Sequence, residues 1–361
     1  MKILSISLDN SILNKTSALA ARAVEYGGLV EKYTVIVPAN RNEESVLSDR
    51  VKIYGVAGKN KFIKLYNLWR QAKILLENAV YGIITVQDQY YLALVGYYLA
   101  KKFKLGLELQ VHGFEKFYGW RKLIAKYVLP RAGAIRAVSR RLKNQLIDEF
   151  GVKQEKITVV PIYCESRIKN QESKITKNDN KFIFLTAGRL AAVKNIGMQI
   201  EAIAEAAREC PNLELWIIGD GPKREKLEKL SYRLRAASHV KFFGWQKDVS
   251  PYYLQADAFM LTSHYEGWGL AVIEAGQFGL PIIMTDVGCA GDVIINNESG
   301  LVIPVGAKEK LVAAMLSIIR DDNLRKKLGK NAKLAASRLP DKEQTLKLYK
   351  LSWETAAENI L

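Results

Sequence analysis

The sequence predicts an α/β protein made of two consecutive doubly wound domains facing a central cleft. Three observations predict it. Short apolar runs rich in β-branched residues alternate with helix-length segments, which implies right-handed parallel crossovers and sheets covered on both faces. A polar stretch, Glu165 to Lys181 (ESRIKNQESKITKNDNK), interrupts that alternation near the middle of the chain, after which it resumes. The length of 361 residues suits two domains of ordinary size, each able to bury its own core.

In the first half Ile3–Ser7, Tyr33–Val37, Val51–Tyr54, Gly82–Val86, Leu107–Val111 and Ala134–Val138 read as strands, with helices over Ser17–Tyr26, Phe62–Asn78 and Tyr90–Lys102. The opening MKILSISLDN has one Lys and a short apolar run broken at Asp9, so it reads as a first strand and not as a signal peptide. Residues 1–165 therefore form a first Rossmann-like domain, 166–181 a linker and 182–340 a second domain. Its strands are Phe182–Ala187, Glu214–Ile218, Val240–Phe243, Ala258–Thr262, Pro281–Thr285 and Leu301–Pro304, and its helices start at Asn195, Lys223, Leu270 and Ala307. Pro340 interrupts the last helical stretch. Residues 342–361 then form an amphipathic segment with Leu346, Tyr349, Trp353 and Ala357 at helical spacing, suited to packing back on the first domain.

Composition narrows the function classes. Hydrophobic residues at 49% and charged residues at 25% exclude a disordered chain. The longest apolar run, Tyr90 to Ala100, is well short of the ~18 residues that span a bilayer. Cys164, Cys210 and Cys289 are odd in number and dispersed, which argues against a disulfide framework or a structural zinc and for a reducing, cytoplasmic setting. Almost all of the net charge of +17 belongs to the first half, where residues 1–180 carry 30 Lys and Arg against 16 Asp and Glu. Residues 101–143 hold twelve of these cations and two acids, interleaved with Phe103, Phe114, Phe117, Tyr118, Trp120 and Tyr127. A nucleic acid, an anionic membrane face or a merely solvated surface would each suit such a segment. No nucleic-acid module is recognisable, so nucleic acid is not the expected partner.

Ligands of open parallel sheets bind beyond the carboxyl ends of the strands, so chemistry is expected in the loops there. After Ala187 comes GRLAAVKN, in which Gly188 opens a turn and Arg189 and Lys194 flank it, a pair of cations suited to a diphosphate. LELWIIGDGP puts Gly219, Asp220 and Gly221 directly after a strand, for close backbone approach or simply a tight turn. The most informative segment is SHYEGWGLAVIEAGQFGLPIIMTDVG, Ser263 to Gly288. Glu266 precedes a turn at Gly267 and Gly269, Leu270 to Phe278 is helical, and Glu274 lies one turn into that helix. The two carboxylates suit sugar and ribose hydroxyls, and the helix N-terminus between them suits a phosphate.

These motifs resemble the nucleotide-sugar-binding half of GT-B glycosyltransferases, specifically the retaining group called family four. The resemblance covers residues 182 to about 330 and rests on Glu266 and Glu274 with seven residues between them inside EGWGLAVIEAGQFGLPII, on GRLAAVKN, on GDGP and on Gly300-Leu301-Val302. In the first half LQVHGFEKF is similar to the family's strand-end histidine followed by glycine, which implies that His112 faces the donor sugar. The implied fold is GT-B, with the first domain on the acceptor side. The implied reaction is transfer of a hexosyl unit from a UDP- or GDP-sugar to an acceptor hydroxyl with retention, by a front-face route and without a metal or other cofactor. His112, Glu266, Arg189 and Lys194 would be the catalytic groups, with Gly188, Gly219, Gly267, Gly269, Leu270 and Glu274 completing the nucleotide-sugar site. Two departures stand out: SLDNSILNKTS lacks the glycines of the family's first loop, and Pro161-Ile162-Tyr163-Cys164 replaces its asparagine-glycine. Both leave the acceptor open. A GT-B sugar-nucleotide epimerase, a sugar-binding protein without catalysis and a basic nucleic-acid-binding protein are the competing readings.

A lipid-linked or cell-envelope glycan is the acceptor class expected, with peripheral association at the inner face of the cell membrane. The segment Phe117 to Arg131 carries Trp120, Leu123, Ile124 and Tyr127 at helical spacing, flanked by Arg121, Lys122 and Lys126. The same stripe also suits packing onto the first domain's sheet, and the sequence leaves both open.

Overall fold

The computed structural model describes residues 1–113, 119–164 and 180–361. Most of the expected linker, and Phe114, Phe117 and Tyr118 of the basic segment, lie outside the described residues. The chain divides into two compact units, Met1–Pro161 with Asp341–Leu361, and Ile162–Pro340.

The first unit runs β1 (Lys2–Ile6), α1 (Ala18–Gly28), β2 (Lys32–Pro38), β3 (Glu43–Val46), β4 (Val51–Val56), α2 (Lys61–Asn78), β5 (Ile83–Val86), α3 (Tyr91–Phe103), β6 (Gly106–Val111), α4 (Trp120–Val128), β7 (Ala134–Ala137), α5 (Arg140–Phe150) and β8 (Ile157–Val159). The strands lie in the order β3-β4-β2-β1-β5-β6-β7-β8, parallel throughout except for β3 against β4. Strands β3 and β8 and helix α5 were not expected. Both strands are too short for an apolar run to register, and β3 is a half-exposed edge of sequence EESV. Ser17, Asn60 and Ser139 each accept a backbone N–H three residues on, so α1, α2 and α5 start where a side-chain cap is available.

The second unit contains β9 (Phe182–Ala187), α6 (Ile196–Ala206), β10 (Leu213–Ile218), α7 (Arg224–Arg233), β11 (Val240–Gly244), α8 (Ser250–Gln255), β12 (Ala258–Leu261), α9 (Leu270–Gln277), β13 (Ile282–Thr285), β14 (Leu301–Ile303), α10 (Lys308–Arg320) and α11 (Asp322–Ser337). Its strands are all parallel, in the order β11-β10-β9-β12-β13-β14. Phe184, Ile200, Leu215, Met260, Ile283 and Met315 belong to its buried core. The helical stretch expected from Ala307 is two helices, because the Asp321 side chain caps a new start by accepting from Leu324 N. Glu214 is buried in β10 yet charged: burial would raise its pKa, but hydrogen bonds from Lys181, Lys241 and Trp216 overcome this and hold it at about 2.

Helix α12 (Lys342–Glu358) returns to the first unit, opened by a capping box between Asp341 and Gln344. Its Trp353 is fully buried, and Tyr349 stacks on Tyr26 with ring centroids 4.7 Å apart. Beneath it a buried ion pair joins Arg136 of β7 to Glu108 of β6 at 3.6 Å, while Ser352 Oγ donates to Glu108 at 2.7 Å. The Arg136 guanidinium lies 3.6 Å from the Tyr349 ring centre. Gly106 and Gly133 make the approach possible, since a Cβ at either would fall 2.3 Å from Ala356 O or 2.5 Å from Asn359 O.

Candidate functional site

Of the site residues expected in the second half, Gly188, Arg189, Lys194, Gly219, Glu266, Gly267 and Gly269 lie in the segments that follow β9, β10 and β12, and Leu270 and Glu274 lie in helix α9 after the last of these. The β9 and β10 loops are pressed together: Gly188 N donates to Ile218 O at 2.9 Å and Leu190 N to Asp220 O at 2.9 Å. Gly188 (φ +153) and Gly219 (φ +125) are required here, because a Cβ on Gly219 would lie 2.0 Å from Gly188 O. From this turn Arg189 projects into solvent, without a side-chain partner among the described residues. Lys194 ends a short 3-10 turn, and Asn195, in a left-handed conformation (φ +47), leads into α6.

The loop after β12 meets that turn. His264 N donates to Val193 O at 2.7 Å, and the Lys194 ammonium reaches Glu266 Oε1 at 2.5 Å. Ser263 Oγ donates to the same carboxylate oxygen at 2.6 Å. The residues read separately as a phosphate cation and a sugar carboxylate thus form an ion pair. The chain bends at Gly267 and Trp268, and Gly269 takes the left-handed conformation (φ +94) that leads into α9. Trp268 between them is buried, and Gly288 gives it room: a Cβ there would sit 2.5 Å from Trp268 O. Helix α9 then presents Leu270 exposed in its first turn, and it closes at Gln277, one residue short of the expected Phe278.

Glu274 is not a solvated helix-surface carboxylate. It is 9% exposed, and Tyr253 of α8 donates to its Oε2 at 3.1 Å. Gln277, one turn on, donates to Cys164 O at 3.3 Å, which ties the segment replacing the family's asparagine-glycine to α9. Tyr253, Ser263 and Thr262 are contributors the sequence did not reveal. A Ser or Thr after a strand and a Tyr 21 residues before Glu274 carry no spacing signal. A groove of about 950 Å³ lies beside these loops, lined by Asn195, Lys223, Lys226, His264 and Lys308 among others. Lys194 and Glu266 adjoin it through their neighbours Asn195 and His264.

In the first unit His112 follows β6 directly, with Gly113 (φ +146) after it. The residue keeps an exposed edge while its surroundings crowd the ring, and this desolvation first and the Arg136 cation second push its pKa down to about 4, so the imidazole is neutral at pH 7. The first loop lacks glycine but is ordered by its own polar groups. Asp9 accepts from Ser11 N at 3.0 Å, and Ser7 Oγ donates to Gln87 at 2.7 Å. Helix α4 is shorter than the amphipathic segment read from the sequence and buries Ala125 and Val128. Trp120 is 76% and Leu123 58% exposed, Tyr127 is exposed as well, and Ile124 is half-buried. Lys122 and Lys126 are exposed beside them, and Arg121 lies near the Tyr90 ring. Tyr127 packs edge-on against Tyr97 with ring centroids 5.6 Å apart, whereas Trp120 and Leu123 stay exposed among the described residues.

Family comparison completes this picture. Residues 12–162 match the model described as Glycosyltransferase Family 4, and residues 167–335 match that of Glycosyl transferases group 1. The chain belongs to the family-four glycosyltransferases. Both halves of this family-four chain are thereby accounted for. Among curated relatives, the lipopolysaccharide core biosynthesis glycosyltransferase LpsE of Rhizobium meliloti (strain 1021) is 31% identical over 147 residues, 41% of this chain and 42% of that protein. The alpha-monoglucosyldiacylglycerol synthase of Acholeplasma laidlawii is 29% identical, over 60% of this chain and 53% of that one. The matches thus span about half the length of these relatives. Among solved structures, Anabaena Alr3699/HepE in complex with UDP superposes with a TM-score of 0.76 at 19% identity, covering 99% of this chain and 100% of that one. The fold is GT-B. Among the described residues no group of three or more His, Cys, Asp or Glu side chains could hold a metal ion, and no helix is long and apolar enough to cross a membrane.

Proposed function

We propose that the protein is a retaining glycosyltransferase that moves a hexosyl unit from a UDP- or GDP-sugar to an acceptor hydroxyl. The observation that carries this reading is the Lys194–Glu266 pair at the mouth of a glycine-formed turn, with buried Glu274 one turn into the adjoining helix. Glu274 is placed to accept from the paired hydroxyls of a ribose, and Tyr253 fixes its orientation. Arg189, Lys194 and the N-terminus of α9 face the position a diphosphate would take. As the bond from the anomeric carbon to the diphosphate oxygen breaks, negative charge grows on the leaving group, and these groups stabilise it. The acceptor oxygen bonds to the same face of the anomeric carbon, and its proton passes to the departing phosphate oxygen. Two cations and a helix end supply the charge stabilisation a divalent ion gives elsewhere, so no metal is needed. His112, neutral at pH 7, would hydrogen-bond the sugar. That HepE has been solved with UDP and with UDP-glucose supports a nucleotide-sugar donor.

The acceptor in this reading is a lipid-linked or cell-envelope glycan, reached from a membrane surface. Exposed Trp120, Leu123 and Tyr127 with Lys122 and Lys126 on α4 support it, as an interfacial helix needs an apolar stripe flanked by cations. The name of the Acholeplasma relative points the same way. The test is to incubate the protein with UDP- and GDP-hexoses and a lipid-linked glycan extract and to read the anomeric configuration of the product by NMR. Product with the donor's configuration is expected. An inverted product contradicts the mechanism, and a changed free sugar nucleotide in the absence of acceptor would favour the epimerase.

A further inference from the structure

Two consecutive hydroxyls at the end of β12 hold the two ends of Lys194. The Thr262 hydroxyl faces the carbonyls of Asn195 and Lys194 at 3.1 and 3.3 Å, and it accepts from Gln199 Nε2 at 2.9 Å. That grip fixes the left-handed Asn195 and hence the backbone from which the lysine projects. Ser263 Oγ donates to Glu266 Oε1 at 2.6 Å, the oxygen that also receives the Lys194 ammonium at 2.5 Å. The Ser263 carbonyl is itself anchored, accepting from Thr285 Oγ1 at 2.7 Å. Thr262 is 1% and Ser263 0% exposed, so neither is accessible to a sugar nucleotide.

We propose that Thr262 and Ser263 are positioning residues for the Lys194–Glu266 pair. Thr262 sets the root of the lysine, and Ser263 fixes the rotamer of the carboxylate that holds its tip. An unanchored lysine spreads over many rotamers, so a flexible cation becomes a preorganised one only when both ends are fixed. A preorganised charge costs no rearrangement as the transition state forms. The proposal rests on the reading of Lys194 and Glu266 as donor-contacting groups, and its test separates the two.

In the ligand-free protein, a short pulse of acetic anhydride followed by peptide mass spectrometry reads the reactivity of each lysine. Ser263→Ala should raise acetylation at Lys194 several-fold relative to Lys308, a lysine of similar exposure paired with Glu205. Ser263→Thr, which keeps the hydroxyl, should return it to the wild-type rate. Unchanged labelling of Lys194 in Ser263→Ala overturns the proposal. With donor and acceptor, Ser263→Ala and Thr262→Val should lower kcat roughly tenfold, the loss expected from one hydrogen bond to a charged group. Affinity for the free nucleoside, uridine or guanosine, which lacks the diphosphate, should stay at the wild-type level, and Thr262→Ser should recover turnover. Wild-type kcat in both variants, or loss of nucleoside affinity and melting temperature together with kcat, overturns it as well. If the wild type turns over no nucleotide sugar, the functional reading falls, and the labelling alone decides whether Ser263 holds the pair.

Discussion

Glu274 shows how a single side chain is prepared before any ligand arrives. It sits in the core-facing half of α9, and Tyr253 donates to one oxygen, so its carboxylate is oriented at the cost of partial burial. Replacing Glu274 with Ala removes the acceptor for the ribose hydroxyls, and replacing Arg189 with Ala removes an exposed cation. Each should weaken nucleotide-sugar binding by about ten- to a hundredfold, the equivalent of ~1.5 to 3 kcal/mol, as read by titration calorimetry. Unchanged affinity in folded Glu274→Ala would remove the basis of the site. Glu214 gives a pH dependence with a defined sign. Its folded pKa of about 2 lies below its ordinary 4.5, so its contribution to stability is complete above pH 4.5 and is lost as pH falls toward 2. Urea unfolding across that window should show a shallower decline in Lys241→Met, which lacks one of the partners. The positions of Glu266, Glu274, Arg189 and Lys194 were legible because the residue types and their spacing carry the signal. The Lys194–Glu266 pairing was not, since 72 residues separate them and only the fold closes that gap.

At the scale of elements, α4 and α12 answer different questions. Helix α4 buries Ala125 and Val128, half-buries Ile124 and sets Tyr127 edge-on against Tyr97, and it leaves Trp120 and Leu123 outside. Reversing Arg121, Lys122 and Lys126 to Glu should abolish co-sedimentation with anionic liposomes at low salt while leaving nucleotide-sugar binding intact. Failure of the wild type to sediment would make a soluble acceptor the better reading. Helix α12 depends on glycines in strands it does not belong to. Gly106→Val would drive a side chain into Ala356 O, and chemical denaturation should show a loss of about 1 to 3 kcal/mol or more. Full stability in that variant would contradict the close packing of α12 on β6. The periodicity of Leu346, Tyr349, Trp353 and Ala357 made the helix legible, whereas the buried Glu108–Arg136 pair beneath it was not. Glu108 and Arg136 sit in strand runs that otherwise read as apolar, and only pairing across neighbouring strands shows why charges are tolerated there.

For the whole molecule, two parallel sheets with helices between their strands were legible from alternation alone, because a buried parallel strand is an unbroken apolar run. The edge strands β3 and β8 escaped, since at an edge burial no longer dictates sequence. Each unit keeps candidate residues beyond the carboxyl ends of its strands, His112 after β6 in one and Arg189, Lys194 and Glu266 after β9 and β12 in the other, with Glu274 in the helix that follows. If protein cations and the α9 N-terminus stabilise the leaving diphosphate, transfer should persist in excess EDTA; a strict requirement restored by Mg²⁺ or Mn²⁺ would refute that account. If the second unit binds a nucleotide sugar through Lys194, Glu266 and Glu274, titration calorimetry of the full chain against UDP- and GDP-hexoses should show one saturable site for at least one of these donors, weakened about ten- to a hundredfold in Glu274→Ala. No binding of any nucleotide sugar by the wild type, or equal affinity in the variant, would contradict it.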